Sequence, residues 1–371
     1  MSPMYTAEHV SCGHPDKFCD QVADKILDTV LSQGAGNDAV LASLRTAIEC
    51  LAKDNLLVIS GEVKLTDEIR ASLDPVAIGR QVWKEIGYGS NVEELTVIDH
   101  IRSQSADIAK GAGTGIDAGG AGDQGIMVGY ATNETDEMVP LEWLKAKNLC
   151  QRLHDLRTSG ELAWLRSDCK TQVTLDDHGK VTSVVIAAQH ADDVSDEEIT
   201  SAIRQKVIEP ELGAIPPRVS INGTGRFVIG GPTGDAGVVG RKIVVDAYGP
   251  RVPVGGGAYS GKDPTKVDRS AAYMARHIAK TVVAHGIGGA KTCTVTLAFG
   301  IGLLQPEMVT AITDSGEDVS SWVHEKFPDL SPGSIIDQLS LRKPSGWSYY
   351  ESASYGHYGR DIFPWESVAN V

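Results

Sequence analysis

The chain has few basic residues for its size: 34 Lys and Arg stand against 49 Asp and Glu among 371 residues, a formal charge of −15. An acidic surface repels polyanions, so general nucleic-acid binding is excluded and any basic cluster has to be local. No apolar run approaches the ~18 residues of a membrane span, and no membrane partner is expected. The six cysteines, at positions 12, 19, 50, 150, 169 and 293, include no C-x-x-C pair, and no signal peptide stands ahead of them. Reduced thiols in a cytoplasmic protein are the expected state. Only Cys12 and Cys169 have basic neighbours, and no pattern for a covalent nucleophile is present. Aromatics are scarce at 6%, while glycine is plentiful at 40 residues, which suits an enzyme with many tight turns. The length allows a large core divided into two or three domains.

Among what is present, the stretch GGGAYSGKDPTKVDRSA from Gly255 to Ala271 is the densest in chemistry. Three glycines let the backbone approach a ligand, and Lys262, Asp263, Lys266, Asp268 and Arg269 follow closely. The frame Gly256–Lys262 nearly spells a P-loop, but Asp263 stands where a Ser or Thr should bind Mg²⁺, and two prolines precede it in place of a buried strand. Asp263 and Pro264 read as N-cap and first position of a helix whose apolar face is Val267, Ala271, Ala275, Ile278 and Val282. That helix start is either a solvated charged turn or a seat for an anion.

Along the chain, SCGHPDK leads into a helix that starts near Pro15, with Phe18, Val22, Ile26 and Val30 recurring every fourth residue and Asp16 in the first turn. His14 either caps that helix or works beside Asp16 at its entrance. Strands are expected at 42–50 and 56–63, carrying Glu49 and Glu62, and in such strands a carboxylate usually faces water. A helical stretch at 69–86 is interrupted by Pro75. Residues 102–125 form a long glycine-rich loop of lid type. Its end, GAGDQG, matches G-x-G-x-x-G, yet no apolar strand precedes it, which rejects a dinucleotide fold and leaves Asp123 as a carboxylate among glycines. A helix at 141–156 with Gly160 past its end, a hairpin at 170–175 and 180–187, a helix at 197–208 ended by Pro210, and strands at 219–222 and 226–229 follow. The glycine-rich 230–242 carries Asp235, Arg241 and Lys242, and KIVVDAY reads as a strand. The last third holds the helix from Pro264, a strand at 292–299, a helix at 320–327 and an aromatic tail. Each third offers strands with about two helices, so the fold class is α+β, with three similar small units packed as one body.

Glycine loops carry the cations His14, Lys170, Arg241, Lys242, Lys262 and Lys266, interleaved with Asp16, Asp123, Asp235 and Asp268. If they converge, they form a metal-assisted polyphosphate site inside an acidic protein.

GHPDK at 13–17, GAGDQG with YATNET at 130–135, GRFVIGGPTGDAG at 225–237, GRK and GGGAYSGKDPTKVDRSAAY together resemble the S-adenosylmethionine synthetase (methionine adenosyltransferase) family, and the likeness runs from Glu8 to Trp365. The resemblance implies three α+β domains with helices on one face of each sheet, related by pseudo-threefold symmetry: residues 1–101, a lid at 102–125, 126–230 and 231–371. It implies that ATP and L-methionine are joined by attack of the sulfur on ribose C5′, with tripolyphosphate then hydrolysed to pyrophosphate and phosphate. On the matching positions, His14, Lys170, Arg241, Lys242 and Lys262 would hold the phosphates, His14 against the departing oxygen. Asp16 and Asp268 would hold Mg²⁺, two ions per site, and Glu49 a K⁺. Arg226 and Phe227 would lie at the adenine, Asp168, Asp235 and Ala258 along the nucleotide. Glu62, Gln104, Asp123, Asp235 and Lys266 would define the methionine pocket. A homodimer or dimer of dimers with shared sites is implied as well. The chain departs from the family at Cys12, where an acidic residue is usual, at PRVPV before the triple glycine, and at Gly223. A polyphosphate hydrolase or phosphotransferase on the same scaffold is the alternative.

Overall fold

The computed structural model describes residues 4–89, 91–104 and 120–371. Its centre is helix α1, Pro15–Gly34. Pro15 at the first position presets φ, His14 caps the start, and apolar residues recur on more than one face. Phe18, Val22, Ala23, Ile26, Leu27 and Val30 are fully buried, so the helix is packed nearly all round.

Among the described residues eleven strands form three small sheets. They are β1 (Tyr5–Val10), β2 (Arg45–Lys53), β3 (Leu56–Lys64), β4 (Thr96–Ser103), β5 (Gly125–Thr132), β6 (Leu165–Leu175), β7 (Val181–His190), β8 (Arg218–Ile221), β9 (Gly237–Val238), β10 (Thr292–Phe299) and β11 (Met308–Thr313). The sheet orders are β4-β3-β2-β9, β1-β6-β7-β8 and β11-β10-β5. Pairing is antiparallel except for β3 with β4 and β7 with β8. Sheet membership crosses the thirds of the sequence: β1 pairs with β6, β9 with β2, and β5 with β10. Helix α2, Leu141–Thr158, lies on β1 and β6, and helix α3, Val267–Ala284, on β5 and β10. Each sheet is therefore covered by helix on one face, and the class is α+β as the alternation of elements predicts.

Local pattern misjudged several stretches. The strand expected from 42 begins at Arg45, because Asn37 caps a short helix, Asp38–Ser43. The strand expected at 226–229 is absent, since the His190 ring accepts the Phe227 N–H at 3.0 Å in place of a ladder partner. KIVVDAY forms a helical turn, Ile243–Asp246, fastened by Lys17 on Asp246 at 2.5 Å and by the Trp143 Nε1–H on the Val245 carbonyl at 2.8 Å. Asp263 and Pro264 do not open α3. Asp263 accepts the Thr46 N–H (2.7 Å) and Lys266 Nζ (2.5 Å), so the helix starts after Lys266. Of the expected loop, Arg102 and Ser103 close β4 and Gly125 opens β5, while 105–119 lie outside the described residues.

Candidate active site

The start of α1 gathers the first group of charges. Asp16, fully buried, accepts the Val238 N–H (2.9 Å) and Arg241 Nε (2.9 Å) on Oδ1, and Lys242 Nζ (2.6 Å) on Oδ2. Burial alone would raise its carboxyl, but the Lys242 bond and the Val238 N–H outweigh it and hold the group below the ordinary range. His14 Nδ1 accepts the Asp16 N–H at 3.2 Å. Burial, then the nearby Lys242 ammonium, lower its pKa to about 3 against the opposing pull of Asp16. A neutral ring that accepts on Nδ1 carries its proton on Nε2, so the helix cap is also a donor.

Lys170 on β6 and Asp235 both act on the charge of His14; Lys170 is half-exposed, 3.8 Å from Glu8, and Asp235 is exposed with Oδ1 on the Ala236 N–H at 2.8 Å. Asp168 lies buried beside them and accepts the Gly231 N–H at 2.8 Å. Burial pushes its carboxyl up to about 6 despite that bond and Lys170. A cleft of about 500 Å³ runs along Arg241 and Lys242, lined also by Thr6, Glu8, Gln172 and Val244.

The second group sits on the 255–268 loop and the outer face of the first sheet. Lys262 Nζ pairs with Asp268 at 2.6 Å. Gly257 has to be glycine for that pair, because a Cβ there would fall 2.1 Å from Asp268 Cγ. Glu49 is exposed on β2 within the field of Lys262, and Glu62 on β3 stands opposite Ala47, which itself bridges Lys262. Gln104 donates its N–H to the Val63 carbonyl at 2.9 Å. Asp123 is exposed, with Oδ1 on the Gln124 N–H, and Gly125 just beyond abuts Asp268. Lys266 is engaged with Asp263. Ala258, in the same loop, presses on Gly240 next to Arg241.

Among the described residues no ion pair or side-chain hydrogen bond joins the two groups. Among the same residues, Arg226 and Phe227 make no ion pair or side-chain hydrogen bond with either group, although Gln189 links the neighbouring Val228 carbonyl (3.0 Å) to the Asp168 N–H (3.3 Å). The Arg226 guanidinium clasps the carbonyls of Asp192 (2.7 Å) and Val194 (3.0 Å) and the Asp196 carboxylate (3.2 Å), which makes it a clamp on that loop, and the Phe227 main chain is bound to His190. Cys12 does not face the charges. Its thiol lies 3.4 Å from His154 Nδ1 and belongs to the apolar cluster with Cys150 and Cys169.

Among the described residues no three His, Cys, Asp or Glu side chains gather as an all-protein metal cage. Mg²⁺ needs only one or two carboxylates when phosphate oxygens and water complete its shell, so Asp16 and Asp268, each beside a lysine that a phosphate would draw off, suit it. Sequence reasoning missed Asp20 and Asp24 and gave no role to Lys17 or Arg269; the four bind one another and the loops behind both groups. Aspartates every fourth residue on an apolar helix were the signal.

Three helix-backed sheets carry cations and carboxylates fixed at a helix entrance and at a glycine loop, an arrangement whose chemistry suits an enzyme of anionic substrates. Profiles of the N-terminal, central and C-terminal domains of S-adenosylmethionine synthetase match residues 2–106, 118–227 and 229–367. The S-adenosylmethionine synthase of Petrotoga mobilis is 43% identical over 99% of this chain and 97% of its own length, and that of Rhodospirillum centenum 44% identical over 98% and 96%. The enzyme of the same name from Sorangium cellulosum is 43% identical over 98% of this chain and 87% of its own. The chain belongs to the S-adenosylmethionine synthetase family, and its activity is that of a methionine adenosyltransferase.

Proposed function

We propose that the chain forms S-adenosyl-L-methionine from ATP and L-methionine by attack of the thioether sulfur on ribose C5′. The C5′–O bond breaks, its electron pair stays with the tripolyphosphate oxygen, and the sulfur becomes a sulfonium. Water then splits the tripolyphosphate into pyrophosphate and phosphate. The observation that carries this reading is His14: held neutral and accepting on Nδ1, it offers Nε2–H as a donor beside Lys242 and Arg241. A thioether needs no base, whereas the leaving oxygen gains charge and needs fixed donors. Holding both substrates in line supplies about 7–11 kcal/mol of such a barrier.

Arg241, Lys242, Lys170 and Lys262 bind the phosphates, Asp168 and Ala258 line the nucleotide, and Glu62, Gln104, Asp123, Asp235 and Lys266 line the methionine. Arg226 and Phe227 border the adenine, Arg226 through its backbone since its guanidinium is engaged. Asp16 and Asp268 would hold Mg²⁺, which supplies charge neutralisation, and Glu49 would hold K⁺.

The two groups of charges act in one site when a second copy of the chain brings its outer sheet face against the first; exposed Leu51, Ile98, Ile126, Met308 and Ile312 on those faces support this. No described helix is long and apolar enough to cross a membrane, and a cytoplasmic location agrees with the reduced thiols expected from the sequence. The test is incubation with ATP, L-methionine, Mg²⁺ and K⁺, with mass spectrometry for the sulfonium beside phosphate and pyrophosphate assays. Equal amounts of all three products are expected. Phosphate released at the same rate without methionine, and no sulfonium, sinks the reading in favour of a polyphosphate hydrolase.

A further inference from the structure

Along α1, aspartates recur every fourth residue at 16, 20, 24 and 28, hence on one face. Each accepts main-chain N–H groups from a distant segment: Asp16 from Val238 at 2.9 Å, Asp20 from Gly240 at 2.8 Å, Asp24 from Gly261 at 2.9 Å, and Asp28 from Tyr349 and Tyr350 at 2.9 and 2.8 Å. The first three segments run straight into Arg241, Lys242 and Lys262.

The grip is double at Asp24. Its carboxylate takes the Arg269 fork at 2.6 and 2.8 Å, and the same guanidinium donates to the Lys262 carbonyl at 3.1 Å. Asp24 and Arg269 are both fully buried. Gly261 sits at φ +84 with its carbonyl receiving the Ile48 N–H at 3.0 Å, which leaves the turn no freedom to swing. The peptide after the Lys262 Cα is thus tied to α1 through Arg269, the peptide before it is held by Ile48 of β2, and the Ser260–Gly261 peptide is held directly by Asp24.

We propose that Asp24, acting with Arg269 on the peptides of Gly261 and Lys262, is a positioning residue that sets where the Lys262 ammonium meets the polyphosphate. This rests on the reading of Lys262 as a phosphate ligand. Asp28 gives a graded comparison: it grips a segment that carries none of the site residues and reaches the device only through the Tyr349 ring, 4.3 Å from the Arg269 guanidinium, and the Ser352 hydroxyl, which accepts from Arg269 at 3.3 Å.

The experiment uses the full-length protein and inorganic tripolyphosphate with Mg²⁺, measured by titration calorimetry, alongside kcat, KM and circular dichroism. Asp24→Asn is expected to weaken tripolyphosphate binding by about tenfold to 100-fold, since misplacement of about 1 Å has effects of that size. The methionine KM stays within about twofold of the parent. The apolar pair Asp24→Leu with Arg269→Met, which strands no buried charge, gives the same loss in a folded protein and carries the test if Asp24→Asn does not fold. Asp28→Asn lowers the melting temperature and costs clearly less binding than Asp24→Asn, since its segment reaches Arg269 only through Tyr349 and Ser352. In a Lys262→Met background Asp24→Asn adds nothing, because both act through one ammonium.

A folded apolar-pair variant with parental binding overturns the proposal. So does Asp28→Asn losing as much affinity as Asp24→Asn, or a full additional loss on top of Lys262→Met. Parental binding by Lys262→Met itself overturns the reading of Lys262 as a ligand, which is a different failure from that of the positioning role.

Discussion

The two groups of site charges are built differently. Around Asp16 the carboxylate is fully buried and its cations reach it at 2.6 and 2.9 Å, with His14 and Asp168 shifted far from their ordinary pKa values by burial. Around Asp268 the partners are a quarter or less exposed and Glu49 lies open to solvent. The first group centres on a carboxylate closed off from solvent, although Arg241 and Lys170 at its rim stay about half exposed, while Asp268 of the second keeps 17% of its side chain exposed. In such a pair the same substitution should cost more at the drier site.

The largest effect is expected at Lys242. Lys242→Met should lower kcat by about 10²–10³, the ~2.7–4 kcal/mol of one preorganised donor, with the circular dichroism unchanged. Next, Lys262→Met should cost about 1.5–3 kcal/mol of transition-state stabilisation, roughly 10- to 150-fold in kcat/KM for ATP. Steady-state kinetics on the two variants side by side break the comparison if Lys262→Met proves the more damaging.

The pH dependence sharpens the contrast. Asp168, raised to about 6 by burial, is ionised above that pH and gains a proton below it, so the KM for ATP should climb as pH falls from 7 to 5. Asp168→Asn should flatten that limb. His14 adds no limb near 6.5, since its pKa of about 3 keeps it neutral throughout. Its contribution to stability has the sign of a depressed group: present above the unfolded value of about 6.5, and lost as pH falls toward 3. The smallest effect belongs to Glu49. An exposed charge pair is worth ~0–1 kcal/mol, so Glu49→Gln should change kcat by about fivefold at most, with the stimulation by added KCl reduced.

Much of the fold could be read from the sequence. Where period and punctuation agreed, as with Pro15 and the four-residue repeat of α1 or Pro75 within 69–86, the elements stand where the pattern puts them. The failures share one cause. KIVVDAY has a strand's composition, but a buried Lys17 and Trp143 impose a turn, and Asp263 has a cap's identity, but Thr46 and Lys266 claim its carboxylate. The separate loops carrying the site could be seen as glycine and charge, yet their grouping into two clusters depends on strand order, which no local window contains. Cys12, a departure inside a signature, lies in the apolar cluster of Cys150 and Tyr355 with its thiol on His154, a placement that the neighbouring charges of the motif gave no sign of.

The exchange of strands between sheets bears on how the chain comes into being. Tyr5–Val10 has its ladder partner only in the much later Leu165–Leu175, and the edge of the first sheet waits for Gly237–Val238. At ~5–20 residues per second on the ribosome, the opening strand stays unpaired for roughly ten seconds or more. The sheets can close only in the order second, first, third, since the second has all its strands by Ile221, the first at Val238 and the third at Thr313, and a nascent chain stalled before residue 237 lacks the edge of its first sheet although the other strands of that sheet end at Ser103.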